Sequence, residues 1–359
     1  MRSKIVAGII LEVLAVSCAE QESKQESNPF FGEFETPFGV PLFDLIESGH
    51  YLPGFVEGIE QQNKEVAAIA SNPEPASFEN TVEALEASGA LLSKVIRVFF
   101  NMTAADTNDE LQEIAKEVAP MLSKHRDDIL LNPVLFSRIE AIYRQRDSLE
   151  LNPEQRTLLL ETHRDFVRGG ARLDEQGKAE LRRINEELSV LAVQFGENVL
   201  DENNAFELVI EDEEDLAGLP DAVITGAAET AEERGHKGQW VFTLHKPSMI
   251  PFLQFSDRRE LREKIFTAYV NRGNNGNEFD NNTSAARTAV LRAERAKILG
   301  YETFAEYVLE KNMAKTPQAV YGLLDQLWKP SLEMARKEAE ILHAMALEGG
   351  SNSTLKPWD

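Results

Sequence analysis

A single cysteine in 359 residues, Cys18, leaves the chain with no internal disulfide and no cysteine-based zinc knuckle. Basic residues are few: 37 Lys and Arg stand against 61 Asp and Glu, a formal net charge of −24. That balance repels nucleic-acid phosphates and anionic lipid head groups and excludes a basic DNA or RNA binder. Long apolar runs are missing too; the one stretch near the start is shorter than the roughly 20 residues that span a bilayer. Neither a His-Glu-x-x-His helix, a Gly-x-Ser-x-Gly elbow nor a Gly-x-x-x-x-Gly-Lys phosphate loop occurs. Gly273 to Asn277 lacks the Asp ligands of a calcium loop. What is present is an ordinary globular mixture, 42% hydrophobic and 27% charged, which can bury a core.

The amino end has the layout of an export signal. Arg2 and Lys4 precede a mostly apolar run from Ile5 to Val16, which closes on small residues at Cys18 before a polar stretch. The small-residue approach to Cys18 resembles a bacterial lipobox, so Cys18 is the expected lipidation site. Residues 1–17 are read as a signal peptide and 18–27 as a tether. The expectation is an exported bacterial protein, periplasmic or membrane-anchored, that meets a membrane only through this lipid.

From Asn28 the pattern is helical. Apolar residues recur at three- and four-residue steps over Phe78–Phe100, Asp109–His125, Pro133–Ile142, Pro153–Val167 and Asp174–Leu200. Asn132-Pro133 and Asn152-Pro153 are start signals, an Asn cap followed by Pro in the first turn. Around residue 205 the period changes to alternation, and Ala205–Ile210 and Gln239–His245 are expected to be two strands of one small β element. Helices resume over Asp257–Val270, Asn282–Leu299, Phe304–Asn312 and Pro317–Ala346. The predicted fold class is mainly α, an antiparallel helical array with one small β element around 205–245. The domain reading is 28–200 helical, 201–250 a small strand-containing insert and 251–359 helical.

Candidate chemistry is sparse. Three Glu-x-x-His matches, Glu47 with His50, Glu233 with His236 and Glu340 with His343, have the spacing of a carboxylate-bridged di-iron site. Only the third falls on a secure helical pattern, and in so acidic a chain such matches are read as surface residues. The Asn-rich run Asn271–Asn282 is read as a loop, and Glu211–Asp215 as a solvated turn. No catalytic or metal-binding residue is assigned.

Several segments taken together resemble one family. Ser77-Phe78-Glu79-Asn80-Thr81, Val98-Phe99-Phe100-Asn101-Met102-Thr103-Ala104-Ala105, Phe166-Val167-Arg168-Gly169-Gly170-Ala171-Arg172-Leu173, Leu291-Arg292-Ala293-Glu294-Arg295-Ala296-Lys297-Ile298-Leu299-Gly300-Tyr301 and Met313-Ala314-Lys315-Thr316-Pro317 occur in the order found in the thimet oligopeptidase (M3) family of zinc peptidases. Their joint order resembles the N-terminal part of its peptidyl-dipeptidase members.

The resemblance implies a neurolysin-like helical array forming one wall of a deep channel for short unfolded peptides. It also implies a zinc-dependent release of dipeptides from a free C-terminus. The family's His-Glu-x-x-His helix lies further downstream, so none of its ligands maps to a position here. The chain is expected to be a fragment without the C-terminal catalytic domain, binding no zinc and inactive alone. The alternative is a lipid-anchored, non-catalytic helical binding or scaffold protein; a third possibility is a metal protein built on the Glu-x-x-His pairs.

Overall fold

A computed structural model describes residues 28–350 and 354–359. The expected signal peptide (1–17), the expected tether (18–27) and the expected lipidation site Cys18 lie outside the described residues. By internal contacts the chain divides after Ile114 into two units.

The first unit is organised by α1 (Ser48–Ala70), a π-helical turn (Phe78–Glu83) that runs into the short α2 (Ala84–Glu86), and α3 (Ala90–Ala105). Helix α1 was not anticipated, because Gly49 and Pro53 in its first turns read as breakers. An internal proline costs a helix about 3 kcal/mol, whereas a fully buried large apolar side chain contributes about 1.5–3 kcal/mol. Tyr51, Phe55, Val66 and Ile69 are all buried, so packing decides the outcome. The rings of Tyr51 and Phe55 meet Phe99 of α3 edge-on at 5.1 and 5.2 Å, an arrangement that adds directionality to the burial.

The expected single helix over 78–100 is interrupted at Gly89. That residue adopts φ +72°, a left-handed conformation that glycine takes without strain, and its N–H donates to Glu65 Oε2 at 2.7 Å. Ser77 and Asn80 form a capping box at the other end of the segment.

The second unit is a longer helical array. Helix α4 (Asp109–Leu130) runs into it, followed by α5 (Pro133–Arg144), α6 (Pro153–Arg168) and the 31-residue α7 (Glu175–Ala205). Asn132 and Asn152 cap α5 and α6 through their side chains, as the Asn-Pro pairs predict. The strands are shorter than their alternating stretches. β1 (Leu208–Ile210) pairs antiparallel with β2 (Trp240–Phe242), Val209 opposite Val241. Ala205 still belongs to α7, and beyond Phe242 the backbone turns into α9 (Lys246–Phe255), another helix the alternation concealed. Between the strands lies α8 (Asp221–Glu233). Leu208, Ile210, Phe242, Phe252 and Ile265 belong to one buried cluster that includes both strands.

Helices α10 (Arg259–Val270), α11 (Asn282–Ile298), α12 (Phe304–Leu309) and α13 (Pro317–Glu348) complete the array. It is mainly α with a single two-stranded sheet among the described residues. None of the described helices is long and apolar enough to cross a membrane.

Close packing of α1 on α3 is set by Gly58, where an added Cβ would stand 2.8 Å from Leu92 Cα and 2.9 Å from its nitrogen. Backbone cannot swing aside as a side chain can. Gly58→Ala is expected to destabilise by about 1–3 kcal/mol through overpacking, more than the ~0.5–1 kcal/mol a helical Ala gains over Gly. Thermal denaturation checks this; a melting temperature at or above the parent's would contradict it.

Candidate functional site

The three Glu-x-x-His pairs do other work. Glu47 and His50 form the capping box of α1: the Glu47 side chain accepts from the His50 backbone, and Glu47 N–H donates to His50 Nδ1 at 2.9 Å. That nitrogen's lone pair is thereby occupied. His236 lies 2.8 Å from Glu207 Oε2, not on Glu233, and Arg234 donates to the other Glu207 oxygen at 3.1 Å. Burial alone would raise the Glu207 pKa, but these bonds outweigh it and hold the carboxyl below its ordinary value. Glu340 and His343 stand exposed on α13. Among the described residues no three His, Cys, Asp or Glu side chains gather as a metal-binding group.

The Asn-rich run is a loop, but a well-bonded one. It wraps Glu202 of α7, which is only 6% exposed. Asn275 and Asn277 each donate to Glu202 Oε1 at 2.7 Å, and Gly273 N–H donates to Oε2. Burial pushes this carboxyl upward, yet three donors bring it below the usual range, so the charge is retained without a cation. Glu202 ties the end of α7 to the loop that precedes Asn282. Its role is structural.

A cleft of about 480 Å³ lined by polar and charged groups lies in the second unit, between α4, α6, α7 and α11. Its anchor is Arg168, the last residue of α6 and only 8% exposed. The guanidinium donates to Glu310, to Tyr301 Oη at 3.2 Å and to the Tyr307 carbonyl at 2.6 Å. It also lies 4.3 Å from the Tyr307 ring centroid, and Arg295 faces the same ring at 5.3 Å. One tyrosine therefore contacts two cations, each of which gains from the ring's quadrupole. Lys311 closes the rim through an ion pair with Asp165.

The opposite wall carries Asp127, buried, accepting from Asn185 Nδ2 at 2.8 Å. Burial raises its pKa despite that bond and the nearby arginines 182, 295 and 126. Two lining atoms are left without partners among the described residues: Arg295 Nε, a donor, and Asn185 Oδ1, an acceptor.

Sequence reasoning did not find this cleft. Its cations come from three helices, α4, α6 and α11, and from the turn after α12, and no spacing along the chain links Arg126, Arg168, Arg295 and Lys311. His163, which is not among the residues lining the cleft, continues the apolar stripe of Leu159 and Phe166 in α6. It is buried there, stacked on Tyr143 at 3.6 Å with Nε2 2.6 Å from Glu140.

A second feature is α13. All 32 residues run without one buried side chain, and Leu324, Leu327, Met334, Ile341 and Met345 recur at steps of three, four and seven. Trp328 is 70% exposed. This apolar stripe extends along a helix about 48 Å long.

Comparison with known proteins gives these features a context. Residues 252–359 match the model of peptidase family M3. Over 332 residues, 92% of its length, the chain is 36% identical to the dipeptidyl carboxypeptidase of Escherichia coli K12, covering 49% of that protein. The Salmonella typhimurium dipeptidyl carboxypeptidase is 37% identical over 334 residues, 93% of this chain and 49% of that protein. Oligopeptidase A of Haemophilus influenzae is 29% identical over 325 residues, 89% of this chain and 47% of that protein. The chain spans about half the length of the curated relatives it matches.

The Arg168 cluster makes two measurable statements. Tyr301 is pushed up to about 12, by burial first and by its 2.5 Å hydrogen bond to Glu310 second. Unfolded tyrosine titrates near 10, so this contribution to stability is complete below about pH 10 and lost as pH rises towards 12. Ultraviolet titration of the folded chain should show a late-ionising component that Tyr301→Phe removes; identical titrations would refute the assignment. Arg168→Met leaves Glu310 and Tyr301 without their shared donor and is expected to cost about 2–3 kcal/mol by chemical denaturation; an unchanged midpoint would contradict it.

Proposed function

We propose that this chain belongs to peptidase family M3 and supplies the helical, peptide-enclosing portion of a zinc metallopeptidase that releases dipeptides from the C-terminus of short unfolded peptides. The observation that carries this reading is α13. A helix of 32 residues with a regular apolar stripe and nothing buried cannot be a stable face in water, because every exposed leucine forgoes about 1.5–3 kcal/mol of burial. Such a helix is built to be covered. In the proposal it is covered by the zinc-bearing portion of an enzyme twice as long, placed outside these 359 residues.

Specificity for dipeptide release, rather than internal cleavage, is favoured by the higher identity to the two dipeptidyl carboxypeptidases than to oligopeptidase A. Zinc supplies Lewis acidity in such peptidases. The residues here do not fit its ligand set: no His-Glu-x-x-His is present, and the histidines of two of the Glu-x-x-His pairs are bonded elsewhere. No catalytic step is assigned to them. Their part is to enclose and orient peptide.

Two tests apply. The chain alone should not hydrolyse an N-blocked tripeptide with a free C-terminus, with or without added zinc. Joined to the zinc-bearing half of a dipeptidyl carboxypeptidase, it should release the C-terminal dipeptide. Chelator-sensitive hydrolysis by the chain alone, or only internal cuts by the joined protein, would overturn the reading.

Export belongs to the same proposal and rests on the layout of residues 1–18. Growth with labelled palmitate in a bacterial host should tag the protein, and Cys18→Ala should abolish the label. Equal labelling of both would refute lipidation at Cys18.

A further inference from the structure

Four cations, Arg126, Arg168, Arg295 and Lys311, line the cleft anchored by Arg168, against two lining carboxylates, Asp127 and Asp165. Arg168 is answered by Glu310, Lys311 by Asp165 and Glu161, and Arg182 by Asp128 at 2.6 Å. Arg126 and Arg295 remain. Neither forms an ion pair among the described residues, and the buried Asp127 carboxylate feels the charge of both. In a chain of net charge −24 this local surplus is unusual, since the surrounding field should already be strongly anionic.

The unmet hydrogen-bonding groups define the polarity further. Arg295 spends Nη2 on the Tyr307 hydroxyl at 3.2 Å, a neutral partner, while its buried Nε–H meets no acceptor. Across the cleft Asn185 gives its amide hydrogen to Asp127 and leaves Oδ1 buried without a donor. A buried polar atom without a partner costs about 1–3 kcal/mol, and a ligand that completes both recovers that cost on binding. Such a ligand presents an acceptor of negative charge to Arg295 and a donor of positive charge to Asn185 and Asp127. The volume, about 480 Å³, lies within the roughly 300–1,000 Å³ usual for small-molecule sites.

We infer that this cleft binds a small α-amino carboxylate zwitterion, a free amino acid or a dipeptide, with its carboxylate on Arg295 and Arg126 and its ammonium on Asn185 Oδ1 and Asp127. The inference concerns residues present in this chain and stands whether or not the peptidase reading holds. If that reading holds, the ligand has the chemistry of the product rather than of the scissile bond.

Isothermal titration of the full chain with Ala-Ala, alanine, acetyl-Ala-Ala and Ala-Ala amide tests it, with no activity assay involved. Saturable binding of Ala-Ala or alanine is expected, with whichever binds tighter identifying the source. Blocking either terminus should weaken binding about 10-fold, the effect of losing one charge-assisted contact. Arg295→Gln should do the same. Because Arg295 touches Tyr307, Arg126→Gln on the exposed rim provides a variant that leaves the packing intact, and its affinity should fall while its melting temperature does not. Absence of saturable binding, equal affinity for the blocked and free compounds, or affinity unchanged by both substitutions would overturn the inference.

Discussion

The second unit depends on a cation placed where water barely reaches. Arg168 ends α6 and is fixed by Glu310, two tyrosines and a backbone carbonyl, all from residues 301–310. A guanidinium so deeply buried would be costly if left unpaired, and these four contacts offset that cost. The cluster therefore holds α6 and the α12 segment in one relative position, since any slippage strands a charge. The cleft follows from that constraint. Its other residues can remain under-satisfied because the fold around them does not depend on them.

Much of the helical framework was legible because its signals are local. Asn-Pro pairs fixed the starts of α5 and α6 within a residue, since the Asn oxygen and the Pro dihedral act within one turn. The strands were legible in kind but not in length, because alternation continues past the point where the partner strand ends. Helix α1 was illegible for the opposite reason: Gly49 and Pro53 oppose it locally, and only burial of Tyr51 and Phe55 against a distant segment overrules them. Gly89 shows the converse. Apolar periodicity runs on from Val82 to Leu92, while a single left-handed residue, Gly89, stops the helix.

The candidate site was almost wholly illegible, and the reason is physical. A pair such as Arg126 and Asp127 is unremarkable in a chain where more than a quarter of the residues are charged. What distinguishes the cleft is the leftover of pairing: which cation has no carboxylate and which amide oxygen has no donor. Pairing is a property of three-dimensional neighbours. Ordinary surface ion pairs such as Lys124 with Asp128 contribute little, about 0–1 kcal/mol, and look the same in sequence as Arg168 with Glu310.

The Glu-x-x-His matches show how a spacing can be right and its chemistry wrong. Three residues apart on a helix places two side chains on one face, which suits a shared metal. The same separation at a helix start spans N-cap to N3, where the side chain of each residue can reach the backbone of the other. Glu47 and His50 take the second option: the first-turn amides of α1 would otherwise go unsatisfied, and His50 Nδ1 accepts from one of the flanking N–H groups. The competition is decided by position relative to the helix end. A Glu-x-x-His pair becomes a metal candidate only when it lies past the first turn and faces other ligands. Glu340 and His343 meet the first condition on α13 but face solvent.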